Sequence, residues 1–226
     1  MTFSIVARCE TSGMFGVSVC SSSPAVGARC GFARAGVGAA ASQNVTDPAL
    51  GEALIAAMAA GASAPRALAE LTGTQAHISF RQLIAVDAMG ETAAFSGSRT
   101  LGVHATAQAR NVAAAGNLLA RREAPEAMVD AFLAGAGSLG ERLIGAMQAA
   151  IAAGGEAGPV RSIGLKLVDK LSWPIVDLRV DWTDDAPVDR LQALWDLYAP
   201  QAGDYVTRAL DPECAPSFGV SGDPAR

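Results

Sequence analysis

The chain has 226 residues, half of them apolar and 17% charged, with a net charge of −5. That length supports one sizeable core, yet no apolar run approaches the ~20 residues of a membrane-spanning helix, so a soluble chain without a membrane partner is expected. The 17 basic residues are scattered rather than gathered into a stripe, which argues against a nucleic-acid partner.

Taken in order, residues 2 to 9 alternate between two faces. Thr2, Ser4, Val6 and Arg8 lie on one, and Phe3, Ile5, Ala7 and Cys9 on the other, the period of a β-strand that begins at residue 2 with no leader ahead of it. Thr11-Ser12-Gly13 signals a turn and residues 14–20 resume a strand, giving a hairpin. If the hairpin turns around Ser12-Gly13, Cys9 stands opposite Gly16 and Cys20 opposite Ile5, so these thiols do not pair. Ser21-Ser22-Ser23 and Pro24 end the strand, residues 27–31 read as loop, and the Gly-studded segment 35–41 reads as a third strand. Thr46-Asp47-Pro48 then gives an N-cap with Pro in the first turn, opening a helix that buries Leu50, Leu54, Ile55 and Met58 and stops at Gly61. A short helix follows over 65–71.

Strands return at 78–87 and 91–95 around Met89-Gly90, and another is expected over 111–117. Two helices come next, one facing inward with Met128, Val129, Phe132 and Leu133, the other with Leu139, Leu143, Ile144, Met147 and Ile151, closed by Gly154-Gly155. A third hairpin pairs 163–169 with 174–181, and a helix over 188–198 completes the core. Hairpins require antiparallel sheets, since parallel strands each need a long crossover. Helices arriving in pairs after groups of strands predict an α+β fold, a four-layer α-β-β-α sandwich of antiparallel sheets; a doubly wound parallel sheet is the alternative, against which the short connections speak. One domain over 1–209 and a mobile tail over 210–226 are expected.

Thr2 carries the chemistry. Removal of Met1 leaves a hydroxyl and a free α-amine on one residue, and an amine with a pKa near ~8 can act as base for its own hydroxyl. The competing reading makes Thr2 simply a strand start. Gly116-Asn117, at the end of a strand, can offer a backbone N–H and a side-chain amide to an oxyanion, or be an ordinary turn. Gly36-Val37-Gly38-Ala39-Ala40-Ala41 spells a dinucleotide fingerprint, but the next helix starts too late for one. Gly16-Val17-Ser18 lies inside a strand rather than at a nucleophile elbow. His77 and His104, the two histidines, lack partners at ligand spacing, so a metal-dependent hydrolase is the weakest reading and no metal or cofactor is expected. Asp177, Arg179 and Asp181 share a solvated strand face. The four cysteines, Cys9, Cys20, Cys30 and Cys214, fit no metal or redox spacing and suit a reducing cytoplasm.

Several stretches in the right order resemble one family: residues 2–8, Ala25-Val26-Gly27, residues 35–39, Arg81-Gln82, Val86-Asp87, residues 116–120 and residues 177–181. The chain resembles the bacterial and archaeal domain-of-unknown-function family 1028, whose members look like Ntn (N-terminal nucleophile) hydrolases with the proteasome β-type fold. It departs from the family pattern at Cys9, at Ser42-Gln43, at Val160-Arg161-Ser162 and in the middle of residues 98–112. The resemblance implies the same four-layer sandwich, with Thr2 at the nucleophile position and an assisting cation for which Arg29 and Arg34 are candidates. The expected function is a cytoplasmic, homo-oligomeric amidohydrolase acting on a small amide or peptide-like substrate. Thr2 and Asn117 are expected to be catalytic, and Ser4, Ser22, Gly116 and Arg29 to contact substrate. The competing function is a non-catalytic binding or assembly module.

Overall fold

In the computed structural model residues 2–222 are described. In chain order they form β1 (Thr2–Arg8), β2 (Phe15–Ser21), α1 (Gly27–Cys30), β3 (Gly31–Arg34), β4 (Gly38–Asn44), α2 (Pro48–Ala59) and α3 (Ala64–Thr74). There follow β5 (Arg81–Asp87), β6 (Thr92–Ser96), β7 (Ala105–Ala109), β8 (Val112–Asn117), α4 (Ala124–Ala134) and α5 (Leu139–Ala152). The chain then adds β9 (Ser162–Val168), β10 (Val176–Val180), α6 (Pro187–Tyr198) and α7 (Ala202–Leu210).

Two antiparallel sheets result, one of order β10-β9-β2-β1-β8-β7 and one of order β3-β4-β5-β6. Alternation along each strand builds the layers. Phe3, Ile5 and Ala7 of β1 meet Met128 and Phe132 of α4 and Leu143 and Met147 of α5 on the outer face of the first sheet. Ala40 of β4 and Leu83 and Ala85 of β5 meet Leu50, Leu54 and Leu68 of α2 and α3 on the outer face of the second. The opposite parities, Val6, Val17, Ala113, Ala39, Ala41, Ile84 and Val86, form a third core between the sheets. The architecture is the expected four-layer α-β-β-α sandwich.

Local chemistry fixes the ends of the elements. Asp47 accepts from the Ala49 N–H ahead of α2, with Pro48 in the first turn, and Ser138 and Glu141 exchange hydrogen bonds as a capping box opening α5. The first hairpin differs from expectation by two residues of register. The Gly13 N–H donates to the Cys9 carbonyl at 2.9 Å, so the turn centres on Thr11-Ser12, and Cys20 faces Phe3 while Gly16 faces Ala7. A shift of two preserves parity, so both faces survive it. All four cysteines are free thiols.

The segment 35–41 is not a single strand. Gly36 takes the left-handed conformation at φ +70° and the Val37 N–H returns to the Arg34 carbonyl, so the chain reverses between β3 and β4. β7 lies in the poorly patterned stretch 98–112, an edge strand built of Ala with Thr106 and Gln108 turned outward. Leu133 and Ile151, expected in the core, are exposed in the last turns of α4 and α5. α7 was unexpected, and Arg208 on it stacks on Phe218 at 3.9 Å and donates to the Pro216 and Ser217 carbonyls. The last residues of the expected tail, 223–226, lie outside the described residues.

Candidate functional site

The site is assembled by strand pairing. Thr2 begins β1 between two neighbours: it stands opposite Asn117 of β8, and the β1–β2 register, with Phe3 opposite Cys20, carries on to bring it to Ser21 of β2. Paired residues share a face, so all three side chains point toward the second sheet, on the parity of Val6. From that sheet Gln43 and Gln82, themselves a cross-strand pair, point back on the parity of Ala41 and Ile84. The layer between the sheets thus changes character along its length. Apolar around Val6 and Ile84, it becomes polar at the end where Thr2, Ser4, Ser21, Gln43, Gln82 and Asn117 meet, all of them buried.

Two hydrogen-bond systems occupy this end. In the first, Thr2 Oγ1 donates to Ser21 Oγ at 3.3 Å, and the Ser21 and Ser23 hydroxyls are 2.8 Å apart. Arg29 Nη2 donates to Ser23 Oγ at 2.7 Å, while its Nη1 donates to the carbonyls of Pro24 and Ala25. Ser162 locks the loop, donating to the Ser23 carbonyl at 2.6 Å and accepting from the Val26 N–H at 3.2 Å. A guanidinium therefore ends a line of three hydroxyls that begins at Thr2, and its charge favours negative character along that line.

In the second system Gln82 Nε2 donates to the Gly116 carbonyl at 3.0 Å and to Ser96 Oγ at 2.9 Å. Because a backbone carbonyl fixes that amide nitrogen, Gln82 Oε1 must be the acceptor. It receives Gln43 Nε2 at 2.8 Å and Asn117 Nδ2 at 3.1 Å. The orientation of both neighbours follows, and it leaves Gln43 Oε1 and Asn117 Oδ1 buried without partners, as is Ser4 Oγ. Unspent acceptors at a buried site are costly unless a ligand or water meets them.

Two non-glycine residues in the left-handed region flank the site, Ala25 at φ +50° after the serine run and Leu118 at φ +49° directly after Asn117. Such backbone costs on the order of 1–3 kcal/mol per residue and gathers at functional sites.

Of the expected site residues, Thr2, Asn117 and Ser4 are brought together on one face. Gly116 sits one residue back on β8; a Cβ there would stand 2.6 Å from the Leu119 side chain, which would have to shift to make room. Ser22 contributes its backbone N–H, which donates to Glu156 Oε1 at 3.2 Å. Arg29 lies at the end of the hydroxyl line, whereas Arg34 pairs with Gly38 at the end of β4 remote from Gln43. His104 Nδ1 pairs with the Gly102 carbonyl, His77 is exposed beyond α3, and no cluster of three metal-ligating side chains occurs among the described residues.

Sequence reasoning missed Ser21, Ser23, Ser162, Gln43, Gln82 and Glu156. With the turn one residue later Thr2 would face Ser23, so the register error hid Ser21. Gln43 and Gln82 carried a usable signal, a polar residue on the inward parity of an otherwise apolar strand. Glu156 carried none. It follows the Gly154-Gly155 break, is 6% exposed, and burial pushes its carboxyl up to about 7 against the pull of the chain's N-terminal charge and of the Ser22 N–H.

No helix among the described residues is long and apolar enough to cross a membrane. No match was found among curated proteins. Among solved structures the chain is similar to protein SPO2555 from Silicibacter pomeroyi, described as DUF1028, with 28% identity and a TM-score of 0.83 over 90% of this chain and 89% of that one. It also aligns with Anbu (ancestral beta-subunit) from Yersinia bercovieri, at 9% identity and a TM-score of 0.43 over 96% of this chain and 100% of that one. An Anbu mutant from Hyphomicrobium sp. strain MC1 aligns at 11% identity and a TM-score of 0.42 over 91% and 99%. Residues 2–191 match the family of unknown function DUF1028. With that match over most of its length, the chain belongs to the DUF1028 family.

Proposed function

We propose that the chain is an Ntn-type amidohydrolase whose nucleophile is Thr2. The observation that carries this is the convergence, at the first residue of a central strand, of a hydroxyl hydrogen-bonded to Ser21, an amide directly across the strand, and a set of buried polar atoms with bonding capacity unspent. Once Met1 is removed, the Thr2 α-amine takes the Oγ1 proton as Oγ1 attacks the carbonyl carbon of an amide. Backbone N–H groups and the second amide hydrogen of Asn117 receive the oxyanion. Collapse breaks the C–N bond and the departing amine takes the proton from the α-ammonium. Water, activated by the same α-amine, then hydrolyses the acyl ester, releasing the acid and restoring Thr2. Arg29 holds the hydroxyl line and cannot serve as a base. Ser4 and Ser22 contact a small amide or peptide-like substrate, Gly116 serves by packing beneath the site, and no metal or cofactor takes part.

We place the protein in the cytoplasm as a homo-oligomer, which fits its free thiols and the exposed Leu197, Leu210, Phe218 and Val220 at its C-terminal end. Thr2 is only 5% exposed, and this favours the alternative, a binding or assembly module of the same fold in which Thr2 merely starts a strand. A screen of small amides with wild type and Thr2→Ala decides between them. Hydrolysis by wild type that Thr2→Ala abolishes supports the enzyme; equal rates in both proteins, or none in a wild type shown to lack Met1, support the module.

A further inference from the structure

Beyond Thr2 the lane of β1 continues between its two neighbours, and one side chain closes it. On one side β2 runs on from Ser21 to Ser22, whose N–H holds Glu156 Oε1. On the other, the chain leaving β8 pairs Leu119 with Glu156 in an antiparallel bridge, flanked by bonds from the Ala120 N–H to the Gly155 carbonyl and from the Ala157 N–H to the Leu118 carbonyl. Glu156 therefore spans both strands that border β1, at the level just ahead of Thr2. Its second oxygen, Oε2, is buried without a hydrogen-bond partner. None of the ion pairs among the described residues involves it. A buried carboxylate with no basic side chain against it is an expensive feature to keep unless something positive meets it, and the chain's N-terminal charge is the positive group that acts on it.

We propose that Glu156 is the positioning residue for the Thr2 α-amine, its carboxylate closing the β1 lane and pairing with the ammonium that Met1 removal creates. This rests on the Ntn reading only in requiring a Thr2 with a free amine. The geometry suits the role: an amine on the first residue of β1 lies at the strand end that Glu156 spans, while the Oγ1 hydroxyl turns aside toward Ser21. Pairing raises the amine pKa and fixes the nitrogen beside its own hydroxyl, so productive base catalysis belongs to the alkaline side of that pKa. The other charged or titratable groups around the strand ends are Cys20 on β2, whose thiol is held well above its usual range by burial and then by the Glu156 charge, Cys30 of α1, whose thiol burial raises against the Thr46 hydrogen bond and the Arg29 and N-terminal charges, and the Arg29 guanidinium of α1, tied to Ser23.

The test uses protein released from a cleavable N-terminal fusion so that Thr2 is the first residue, labelled with ¹⁵N-threonine. The α-amine nitrogen, distinct from backbone amides, is followed by NMR as pH is varied. In wild type it is expected to titrate above the usual ~8, and in Glu156→Gln to fall by about one unit or more. Glu156→Asp, which keeps the charge, should restore most of the wild-type value. A wild-type amine titrating at or below ~8, or a Glu156→Gln amine matching wild type, overturns the inference. Should Glu156→Gln not fold, wild type and Glu156→Asp decide it by the same criterion. Turnover is not the readout. A Glu156-dependent amine in a protein that hydrolyses nothing keeps this inference and removes the hydrolase, whereas hydrolysis with a Glu156-independent amine does the reverse.

Discussion

The layer between the sheets has two ends made from the same strands on the same parity. At one end Val6, Val17, Ala39, Ile84 and Val86 pack as an ordinary apolar core. At the other, two residues further along β1 and β5, Ser4 and Gln82 take the places that packing would give to Val or Ile. Apolar contact tolerates repacking, whereas a buried polar network is stable only when its members find partners. The contrast teaches that the first end holds the sandwich together, while the second keeps bonding capacity in reserve at a cost in stability.

Substitutions can break this contrast from either end. The largest effect is expected from Thr2→Ala, which should lower hydrolysis of a responsive amide by about 10³-fold or more while changing folding stability by only about 1 kcal/mol, read by comparing turnover with urea unfolding. Ile84→Ala should do the opposite, costing about 2–5 kcal/mol in urea unfolding with the rate per folded molecule unchanged. Gln82→Met removes the acceptor shared by Gln43 and Asn117 and the donor to the Gly116 carbonyl. It should cost about 1–3 kcal/mol and weaken activity as well, a mixed outcome that neither end produces alone.

The smallest effect sharpens the comparison through pH. In the chain that retains Met1, burial raises the Glu156 carboxyl to about 7, above its ordinary 4.5. A raised carboxyl favours the protonated fold, so the stability it lends is fully present below about pH 4.5 and is lost as pH climbs through about 7. Glu156→Gln should remove that slope and leave the protein more stable than wild type above pH 7, by on the order of 1–2 kcal/mol in unfolding measured across the range.

Much of the fold was legible because it is written in periodicity. The alternation of residues 2–8, the inward stripes of α2 and α5, and the Asp47-Pro48 helix start all rest on local chemistry that a sequence displays. The breaks in legibility have local causes too. A hairpin turn can centre on Thr11-Ser12 or on Ser12-Gly13 with nearly the same residues, and only the Gly13–Cys9 bond chooses. β7, made of Ala, Thr and Gln on a sheet edge, has too little apolar contrast to show its period. For the site, Thr2 and Asn117 could be named as candidates from their places at strand ends. Their partners could not, because Ser162 and Glu156 reach Ser23 and Ser22 across more than 130 residues of chain.

The most direct test is the intact mass of untagged protein expressed from its own start codon. A mass one methionine short of the full 226-residue chain is the predicted result, since it leaves the Thr2 nitrogen as an amine able to accept the Oγ1 proton. The full-length mass would contradict the account, because a Thr2 nitrogen locked in a peptide bond has no basic lone pair, and the polar end of the sandwich would then have no nucleophile to serve.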